Sequence, residues 1–281
     1  MVSASRVWLI TGVSSGFGQE LARVLLDRGD TVVGTVRQAA QQSAFEALAP
    51  GRALARLLDV TDAAAIGPLV ESVIRDVGRI DVLVNNAGYG LFGAVEELDD
   101  AEGRRVFETN FFGLLNLTRA VLPHFRARKS GHVVNISSIA GLTGMAGVGL
   151  YCASKFAVTG LSESLARELA PFGIRVTVVQ PGGFRTNFSG GSMALAAKLM
   201  PEYDGTPAAA PRAMRAHYHG TQQGDPVRAA QAIVAAVESP APPVHLLLGP
   251  DAVAVARQKR AELDAETTEW EALSSGTNFT S

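Results

Sequence analysis

The sequence has little cysteine, little lysine and almost no net charge, and these shortages exclude whole classes of protein. Cys152 is the single cysteine among 281 residues, so no intrachain disulfide can form and a secreted disulfide scaffold is excluded. We therefore expect a reducing compartment, the cytoplasm. The formal net charge is -2, which leaves no general attraction for nucleic acid or for an anionic membrane. No Cys/His cluster indicates a metal site, and we expect none.

Long apolar runs are absent as well. No segment approaches the roughly 18 consecutive apolar residues of a membrane-spanning helix. The opening residues MVSASRVWLITG contain one arginine followed by a short apolar run, which is too short for a signal peptide. Hydrophobic residues nevertheless make up 47% of the chain and charged residues 19%, a balance that supports a large core rather than disorder. We expect a soluble intracellular protein with neither nucleic acid nor membrane as partner.

The chain does contain an alternation of short β-branched runs with longer amphipathic stretches, the pattern of parallel strands joined by crossover helices. Strands are predicted at residues 6–11, 31–36, 53–58, 82–85, 132–137, 175–179 and 245–248. Helices are predicted after Gly18 and near 62–77, 101–127, 151–171, 226–238 and 251–273, with starts marked by Asp62, Asp225 and Pro226. The pattern indicates an α/β fold, a single-domain, Rossmann-like, doubly wound parallel sheet of about seven strands with helices on both faces, over residues 1–281.

Residues 186–224 interrupt this alternation with Ala, Pro, Met and aromatic residues and show no strand pattern. We interpret them as a substrate lid rather than a second domain. Histidines 217 and 219 in this segment are interpreted as surface residues. The polar segment 274–281 is expected to be a flexible tail. Apolar lid side chains are candidates for lining the pocket of a bulky apolar substrate, or for a subunit contact: Met193, Leu195, Leu199, Met200, Tyr203, Met214 and Tyr218.

Three glycines follow the first predicted strand, in the segment Thr11-Gly12-Val13-Ser14-Ser15-Gly16-Phe17-Gly18. Glycine permits a tight turn and lets backbone N–H groups approach a pyrophosphate, which the positive end of the next helix attracts. The spacing G-x-x-x-G-x-G differs from the G-x-G-x-x-G of many dinucleotide folds and from the P-loop. A flexible surface turn is the alternative. The turn predicts a dinucleotide site formed by Gly12, Ser14, Ser15, Gly16, Phe17 and Gly18.

The residues that end the next strands indicate which dinucleotide binds. Val36-Arg37 ends the second strand, and no carboxylate lies nearby in sequence to hold a ribose 2′-hydroxyl. A guanidinium matches a 2′-phosphate instead, so Arg37 favours NADP(H), with NAD(H) possible and a solvated surface arginine as the alternative. At the ends of the third and fourth strands, the further candidate cofactor contacts are Asp59, Val60, Asn86, Ala87 and Gly88.

Four polar residues form a candidate catalytic set. Tyr151 and Lys155 stand four positions apart at the start of a predicted helix, so their side chains leave the same face. The lysine ammonium can lower the tyrosine pKa from its ordinary value of about 10. Ser138 ends the fifth strand, where its hydroxyl can donate a hydrogen bond to a carbonyl oxygen. Asn110 lies in the long helix predicted over residues 101–127.

Together with the glycine turn, Asn85-Asn86-Ala87-Gly88 and Pro181-Gly182-Gly183, this set resembles the short-chain dehydrogenase/reductase family over roughly residues 5–190. The resemblance implies that Tyr151 is the general acid/base and that Lys155 lowers its pKa and binds the nicotinamide ribose. It further implies that Ser138 orients the substrate oxygen and that Asn110 holds a water in a proton relay. It places Pro181, Gly182 and Thr186 beside the nicotinamide. The Val36-Arg37 pair, with Ser15, is similar to NADP-preferring members, including hydroxysteroid and retinol dehydrogenase relatives.

The resulting expectation is an NADP(H)-dependent oxidoreductase, a ketoreductase that moves a hydride between nicotinamide and a carbonyl or secondary alcohol. Two alternatives are a dinucleotide-binding sensor that regulates a partner, and an epimerase or dehydratase on the same fold. The epimerase would be expected to carry a G-x-x-G-x-x-G turn, which this chain lacks. Family members form dimers or tetramers through helices that match residues 101–127 and 151–171, so a homodimer or homotetramer is implied.

Overall fold

The computed structural model describes residues 5–218 and 220–279, without the side chains of residues 189 and 215–218. Its strands are β1 (Val7–Thr11), β2 (Thr31–Val36), β3 (Ala53–Leu57), β4 (Val82–Asn85), β5 (Gly90–Phe92), β6 (Gly131–Ile136), β7 (Ile174–Pro181), β8 (Met193–Leu195) and β9 (His245–Leu248). One parallel sheet joins seven of them in the order β3-β2-β1-β4-β6-β7-β9. All seven predicted strands are therefore present, and the predicted fold class is confirmed.

The α-helices of the described residues are α1 (Gly16–Asp27), α2 (Gln42–Glu46), α3 (Ala63–Val77), α4 (Asp100–Phe107), α5 (Gly113–Arg128), α6 (Gly149–Leu169), α7 (Phe188–Gly191), α8 (Ala210–Tyr218), α9 (Pro226–Glu238) and α10 (Pro250–Ser275). Two predicted helix starts are confirmed by hydrogen bonds. The Asp62 carboxylate accepts the N–H of Ala64 at 3.1 Å, and the Asp225 carboxylate accepts the N–H of Val227 at 2.8 Å. These bonds satisfy donors that the first helical turn leaves unpaired.

The two faces of the sheet carry separate hydrophobic cores. Successive strand side chains point to opposite faces, so Trp8 and Ile10 of β1 pack under α1, α2 and α9, whereas Leu9 packs under α3, α5 and α6. Each of these three β1 side chains is fully buried. Burial on both sides explains why β1 is a continuous apolar run. The two packed cores also hold the carboxyl ends of the strands, where the site lies, in fixed positions.

Two predicted features differ in the structure. The long helix expected over 101–127 is divided into α4 and α5 by a single π-helical turn, Glu108–Phe112, which contains Asn110. The segment 186–224, expected to have no strand, contains β8, which pairs in parallel with β5 in a separate two-stranded sheet. Each of these strands has three residues, too few for an alternating pattern to be visible in the sequence.

The carboxyl-terminal helix α10 continues through Ser275 and so includes the first two residues of the predicted tail. His219 and the side chains of His217 and Tyr218 lie outside the described residues. Across residues 5–218 and 220–279, no helix combines the length and apolar character needed to cross a bilayer. Over the same ranges, no three His, Cys, Asp or Glu side chains are grouped so that they could hold a metal ion.

Candidate active site

A cleft of about 1060 Å³ opens at the carboxyl ends of the parallel strands. It spans the junction of β1 and β4, where the chain switches from one half of the sheet to the other, the place where open α/β sheets bind ligands. Gly18 and Asn110 are the two predicted site residues that do not line it. The predicted residues that do are Gly12, Ser14, Ser15, Gly16, Phe17, Arg37, Asp59, Val60, Asn86, Ala87, Gly88, Ser138, Tyr151, Lys155, Pro181, Gly182 and Thr186.

The glycine turn forms one end of this cleft. Gly12 and Gly16 have φ values of 72° and 63°, a left-handed conformation that side-chain-bearing residues rarely adopt. Ser15 precedes α1 in an extended conformation and its side chain makes no capping hydrogen bond, so it leaves the first-turn N–H groups without a side-chain acceptor. This turn provides backbone donors and the positive end of a helix dipole, which together suit a pyrophosphate.

Gly18 supports the turn from behind. A Cβ atom on Gly18 would lie 2.4 Å from the Gly12 carbonyl oxygen and 2.5 Å from the side-chain nitrogen of Asn86. That nitrogen donates to the carbonyl oxygens of Thr11 at 2.8 Å and Gly12 at 3.0 Å. The Asn86 side chain therefore stabilises the shape of the turn. This is an indirect role, in addition to the direct cofactor contact that the sequence predicts.

We expect Gly18→Ala to lower the free energy of unfolding by about 1–3 kcal/mol, since overpacking against backbone atoms forces the turn to shift. It should also weaken dinucleotide binding several-fold. Gly67→Ala is the matched control, because a Cβ on Gly67 of α3 meets nothing within 4 Å. Urea unfolding and dinucleotide titration of both variants provide the test. Unchanged binding by Gly18→Ala would show that the turn does not depend on this close approach.

Arg37 and Asp59 lie at the opposite edge of the cleft from the candidate catalytic residues, beyond the ends of β2 and β3. The Asp59 carboxylate accepts hydrogen bonds from the Thr61 N–H at 2.9 Å and the Thr61 hydroxyl at 2.8 Å. The backbone bond from Thr61, and to a smaller degree the nearby Arg37 guanidinium, lower the pKa of Asp59. Arg37 is exposed and no described hydrogen bond holds its guanidinium, which is therefore accessible from the cleft.

Tyr151, Lys155 and Ser138 meet at the other end of the cleft. Tyr151 and Lys155 are on the first two turns of α6, and both side chains are buried. The Lys155 ammonium donates to the Ile136 carbonyl oxygen at 2.9 Å, and its nitrogen lies 5.9 Å from the centre of the Tyr151 ring. Ser138 follows β6, and its hydroxyl oxygen accepts the Ala140 N–H at 3.1 Å. The structure therefore brings three of the four predicted catalytic residues together.

Burial shifts the pKa values of both titratable groups toward their neutral forms. Desolvation raises the pKa of Tyr151 to about 12, against the opposing effect of a hydrogen bond with Ser138. Desolvation lowers the pKa of Lys155 to about 8. The tyrosine is thus protonated at neutral pH and can act as a proton donor. The expected lowering of the Tyr151 pKa by Lys155 is not seen in the protein alone.

Asn110 is fully buried behind this group. Its amide nitrogen donates to the Tyr89 carbonyl oxygen at 2.9 Å and to the Ser154 hydroxyl at 3.1 Å, and its amide oxygen accepts the Tyr89 N–H at 3.0 Å. A Cβ on Gly88 would lie 3.0 Å from the Asn110 oxygen and 3.6 Å from the Lys155 nitrogen, so both groups approach one point. The π-helical turn directs Asn110 to this position.

The buried ammonium has a consequence for stability. Because the pKa of Lys155 is lowered from 10.5 to about 8, the unfolded chain binds more protons than the folded protein between these values. The free energy of unfolding of the wild type should therefore rise relative to Lys155→Met as pH increases from 8 to 10, by up to about 3 kcal/mol. Urea unfolding of both proteins across this range tests the prediction. A constant difference would show that the ammonium is not desolvated.

Comparison with known proteins identifies the family. A family model described as short chain dehydrogenase matches residues 6–194. A short-chain dehydrogenase structure from Streptomyces avermitilis is 44% identical, with a TM-score of 0.91, and the match covers 99% of this chain and 100% of that one. The chain belongs to the short-chain dehydrogenase family. Its activity class is oxidoreductase.

Two further proteins are similar to this short-chain dehydrogenase. Human retinol dehydrogenase 8 is 43% identical over 211 residues, which are 73% of this chain and 67% of that protein. A metagenomic short-chain oxidoreductase solved in complex with NADP is 36% identical, covers 66% of this chain and 86% of that chain, and has a TM-score of 0.61. A nicotinamide dinucleotide is thus the cofactor class of the family, and the glycine turn and cleft fit such a molecule.

The Pro181-Gly182-Gly183 turn of the dehydrogenase is held by a residue that the sequence did not single out. The Asp251 carboxylate, at the start of α10, accepts the Gly183 N–H at 2.6 Å. A Cβ on Gly182 would lie 2.2 Å from both carboxylate oxygens, so a larger residue there would displace the Asp251 side chain from the turn. The two partners are separated by 68 residues, and no local pattern links them.

The lid is held against the body by Glu97, a second residue that sequence reasoning missed. The Glu97 carboxylate is fully buried and accepts the N–H of Met200 at 2.9 Å and two bonds from Arg212 at 2.6 and 2.7 Å. The bond from Met200 and the Arg212 guanidinium lower the pKa of Glu97 despite its burial. A neighbouring carboxylate, Glu102, accepts the N–H of Ala197 at 2.9 Å. Two carboxylates thus fasten the lid backbone.

We expect Glu97→Gln to raise the KM of any carbonyl substrate about tenfold while kcat and dinucleotide affinity change little, because breaking a buried ion pair releases the lid. Arg212 is part of α8, and its neighbours Pro211 and Met214 line the cleft. Glu96→Gln is the matched control, since Glu96 is exposed and its hydrogen bond from the Tyr203 hydroxyl of the lid can also be accepted by a glutamine oxygen. Steady-state kinetics of both variants measure the effect. Equal KM values in both would contradict the anchoring role.

The substrate end of the cleft is lined by apolar side chains from the body and the lid. Tyr151 lies with its ring centre 6.0 Å from that of Phe188 in α7. Two of the predicted lid residues line the cleft, Met193 and Met214, whereas Leu195 and Leu199 are exposed at 42% and 46%. Phe92, Met145 and Val148 also line the cleft and pack in the same apolar cluster as Tyr151. Cys152 is buried among residues of this end, where burial raises the pKa of its thiol.

Proposed function

We propose that the protein is an NADP(H)-dependent ketoreductase that interconverts a carbonyl compound and the corresponding secondary alcohol. The observation that carries this proposal is the meeting of Ser138, Tyr151 and Lys155 at the apolar end of a cleft whose other end is the glycine turn. When bound, the nicotinamide supplies or accepts the hydride. The side chains of this protein then have to orient the oxygen and to move one proton.

Each residue of the set has a role that its surroundings support. Tyr151, protonated at neutral pH, delivers its proton to the oxygen of the carbonyl group as that oxygen gains negative charge. Ser138 donates a second hydrogen bond to the same oxygen. Lys155, with a pKa of about 8, remains largely charged at pH 7 and favours the tyrosinate that forms. Asn110 bonds Ser154, the residue before Lys155 in α6, and we assign to its amide oxygen the water of the proton relay.

NADP(H) is preferred over NAD(H) because of the charge at the end of β2. The exposed Arg37 guanidinium faces the cleft, and a forked cation matches a 2′-phosphate. The Asp59 carboxylate, which follows the neighbouring strand β3, already accepts two hydrogen bonds from Thr61. A relative solved in complex with NADP is in keeping with a site that accepts the 2′-phosphate.

The substrate is a bulky apolar molecule with one carbonyl or alcohol group. Phe92, Met145, Phe188, Met193 and Met214 surround the end of the cleft next to Tyr151, and flexible methionine side chains adapt to large apolar ligands. The similarity to a retinol dehydrogenase is in keeping with such a substrate.

We further propose a cytoplasmic homodimer or homotetramer. A single buried thiol suits a reducing compartment. Phe112, beside α5, and Phe156, on α6, are 42% and 43% exposed, and these elements belong to the two helices expected to join subunits.

Incubation with NADPH and a panel of bulky ketones and aldehydes tests the function. We expect NADPH oxidation coupled to formation of one alcohol, with little oxidation when NADH replaces NADPH. Tight NADPH binding without turnover of any carbonyl, also in crude extracts of metabolites, would favour the sensor alternative. Lack of dinucleotide binding would overturn the proposal.

A further inference from the structure

The two ends of the lid meet at Arg185. The Arg185 N–H donates to the Gly224 carbonyl oxygen at 2.9 Å, and the Gly224 N–H donates to the Gly183 carbonyl oxygen at 3.1 Å. The Arg185 side chain adds a third bond, from its Nε to the Gln222 carbonyl oxygen at 3.1 Å. The segments that these bonds join form the lid base: residues 183–186 and 222–224.

The lid base packs directly on the glycine turn. The Phe184 ring lies edge-on to the Phe17 ring, with 5.2 Å between the ring centres. A Cβ on Gly16 would lie 3.9 Å from the Cβ of Thr186. The residues before and after Arg185 in the chain therefore both lie against the turn.

The Arg185 guanidinium lies at a second cavity, of about 490 Å³, that adjoins the main cleft. Ser14, Ser15 and Gly16 of the glycine turn, together with Thr186, line both the cavity and the cleft. Among the residues that the structure describes, Nε is the one guanidinium nitrogen of Arg185 with a hydrogen-bond partner, and the side chain makes no ion pair. Its two Nη atoms are therefore available to a ligand seated on the turn.

The charges at this place suit a phosphate ligand. The glycine turn contains no charged residue, so it offers a diphosphate only backbone N–H groups and the hydroxyls of Ser14 and Ser15. The carboxylate that lines the second cavity, Glu20, is paired with Arg23 of the same helix at 3.3 Å. An unpaired planar guanidinium beside neutral donors matches a phosphate group, which it can bind through two parallel hydrogen bonds.

We propose that Arg185 binds the diphosphate of the dinucleotide and thereby couples cofactor binding to the lid base. One planar guanidinium then makes two contacts: Nη atoms bond the diphosphate, and Nε keeps its bond to the Gln222 carbonyl oxygen. Because the guanidinium is rigid, the bound cofactor fixes the far end of the lid relative to the glycine turn. The inference rests on the dinucleotide binding of the proposed function, but not on the preference for NADP(H) or on the substrate.

Titration of two dinucleotides and one fragment separates this role from that of Arg37. Arg185→Gln should weaken the binding of NADP+ and NAD+ by the same factor, about tenfold or more, because both carry the diphosphate. The affinity for 2′-AMP, which lacks a diphosphate, should stay the same. Arg37→Asp should give the opposite pattern, with losses for NADP+ and 2′-AMP but not for NAD+.

Arg228→Gln is the matched control for the loss of one positive charge. Arg228 is on α9, whose first residue Pro226 lines the second cavity, but its side chain is 86% exposed and lines neither cavity nor cleft. Unchanged NADP+ affinity in Arg185→Gln, or an equal loss in Arg228→Gln or for 2′-AMP, would overturn the role of Arg185 alone. A wild-type protein that binds no dinucleotide would overturn the proposed function as well.

Hydrogen exchange tests the coupling to the lid, because amide exchange reports local opening. NADP+ should slow exchange of the wild-type amides at positions 185 and 224, which form the bonds of the lid base. In Arg185→Gln saturated with NADP+, the same two amides should exchange faster than in the wild-type complex, whereas Arg228→Gln should match the wild type. Equal protection in the saturated wild-type and Arg185→Gln complexes would contradict the coupling.

Discussion

Tyr151→Phe is expected to lower kcat by about 10²–10⁴-fold, the usual contribution of a positioned general acid or base. The substitution removes one hydroxyl and leaves the buried ring packed beside Phe188. Because the tyrosine pKa is about 12, the wild-type phenol is protonated at every pH of ordinary assays, and its loss removes a proton donor rather than a charge. Single-turnover measurements of NADPH oxidation with saturating ketone report this step directly.

Two controls separate chemistry from structure in this variant. The NADP+ dissociation constant and the urea midpoint of Tyr151→Phe should stay close to the wild-type values, because no charge and little packing volume are lost. Ser138→Ala should lower kcat less, since it deletes one of two hydrogen bonds to the oxygen while the proton donor stays in place. A Tyr151→Phe enzyme with most of the wild-type kcat would show that another group carries the proton.

Arg37→Asp is expected to have the second largest effect, on the choice of dinucleotide. A hydrogen bond to a charged group contributes about 1.5–3 kcal/mol, so losing it should weaken NADP+ binding about 10–150-fold. The new carboxylate adds repulsion of a 2′-phosphate and offers an acceptor for a ribose 2′-hydroxyl. NAD+ affinity should therefore stay constant or increase. Titration of both dinucleotides, monitored by fluorescence or calorimetry, measures the ratio.

Arg105→Asp is a matched control for this change. Arg105 is also exposed and lines the cleft, and its substitution alters the net charge by the same amount. A loss of NADP+ affinity in Arg37→Asp that exceeds the loss in Arg105→Asp identifies a specific phosphate contact. An equal loss of NADP+ affinity in both variants would show that Arg37 contributes only to the overall positive potential of the cleft and makes no specific contact with the phosphate.

Much of the site could be predicted because its residues stand at recognisable places in the sequence, next to predicted strands and on one helix. Strands buried on both faces are continuous apolar runs, and in a parallel sheet the residues that follow them meet at one edge. For this reason the positions of Gly12, Arg37, Asp59 and Ser138 after their strands predict that these residues share one cleft. Tyr151 and Lys155 needed only the period of a helix.

The parts that were missed depend on contacts between distant segments. Glu97 and Arg212 are 115 residues apart, and neither stands in a pattern that marks it as buried. Asp251 resembles any acidic residue at a helix start, although it fixes the turn at Gly182. The π-helical turn at Glu108–Phe112 lies between two ordinary helical stretches and carries no sequence signal of its own, so a continuous helix was the natural prediction. Each of these features depends on contacts between segments that are distant in the sequence, which a local pattern does not reveal.

The crystal structure of the NADP+ complex is the measurement that tests the central claim most directly. The account predicts the pyrophosphate on the N–H groups between Ser14 and Phe17, the 2′-phosphate within hydrogen-bond distance of Arg37, and C4 of the nicotinamide facing the space between Ser138 and Tyr151. A dinucleotide with its nicotinamide turned away from Tyr151, or with no contact between the 2′-phosphate and Arg37, would contradict it.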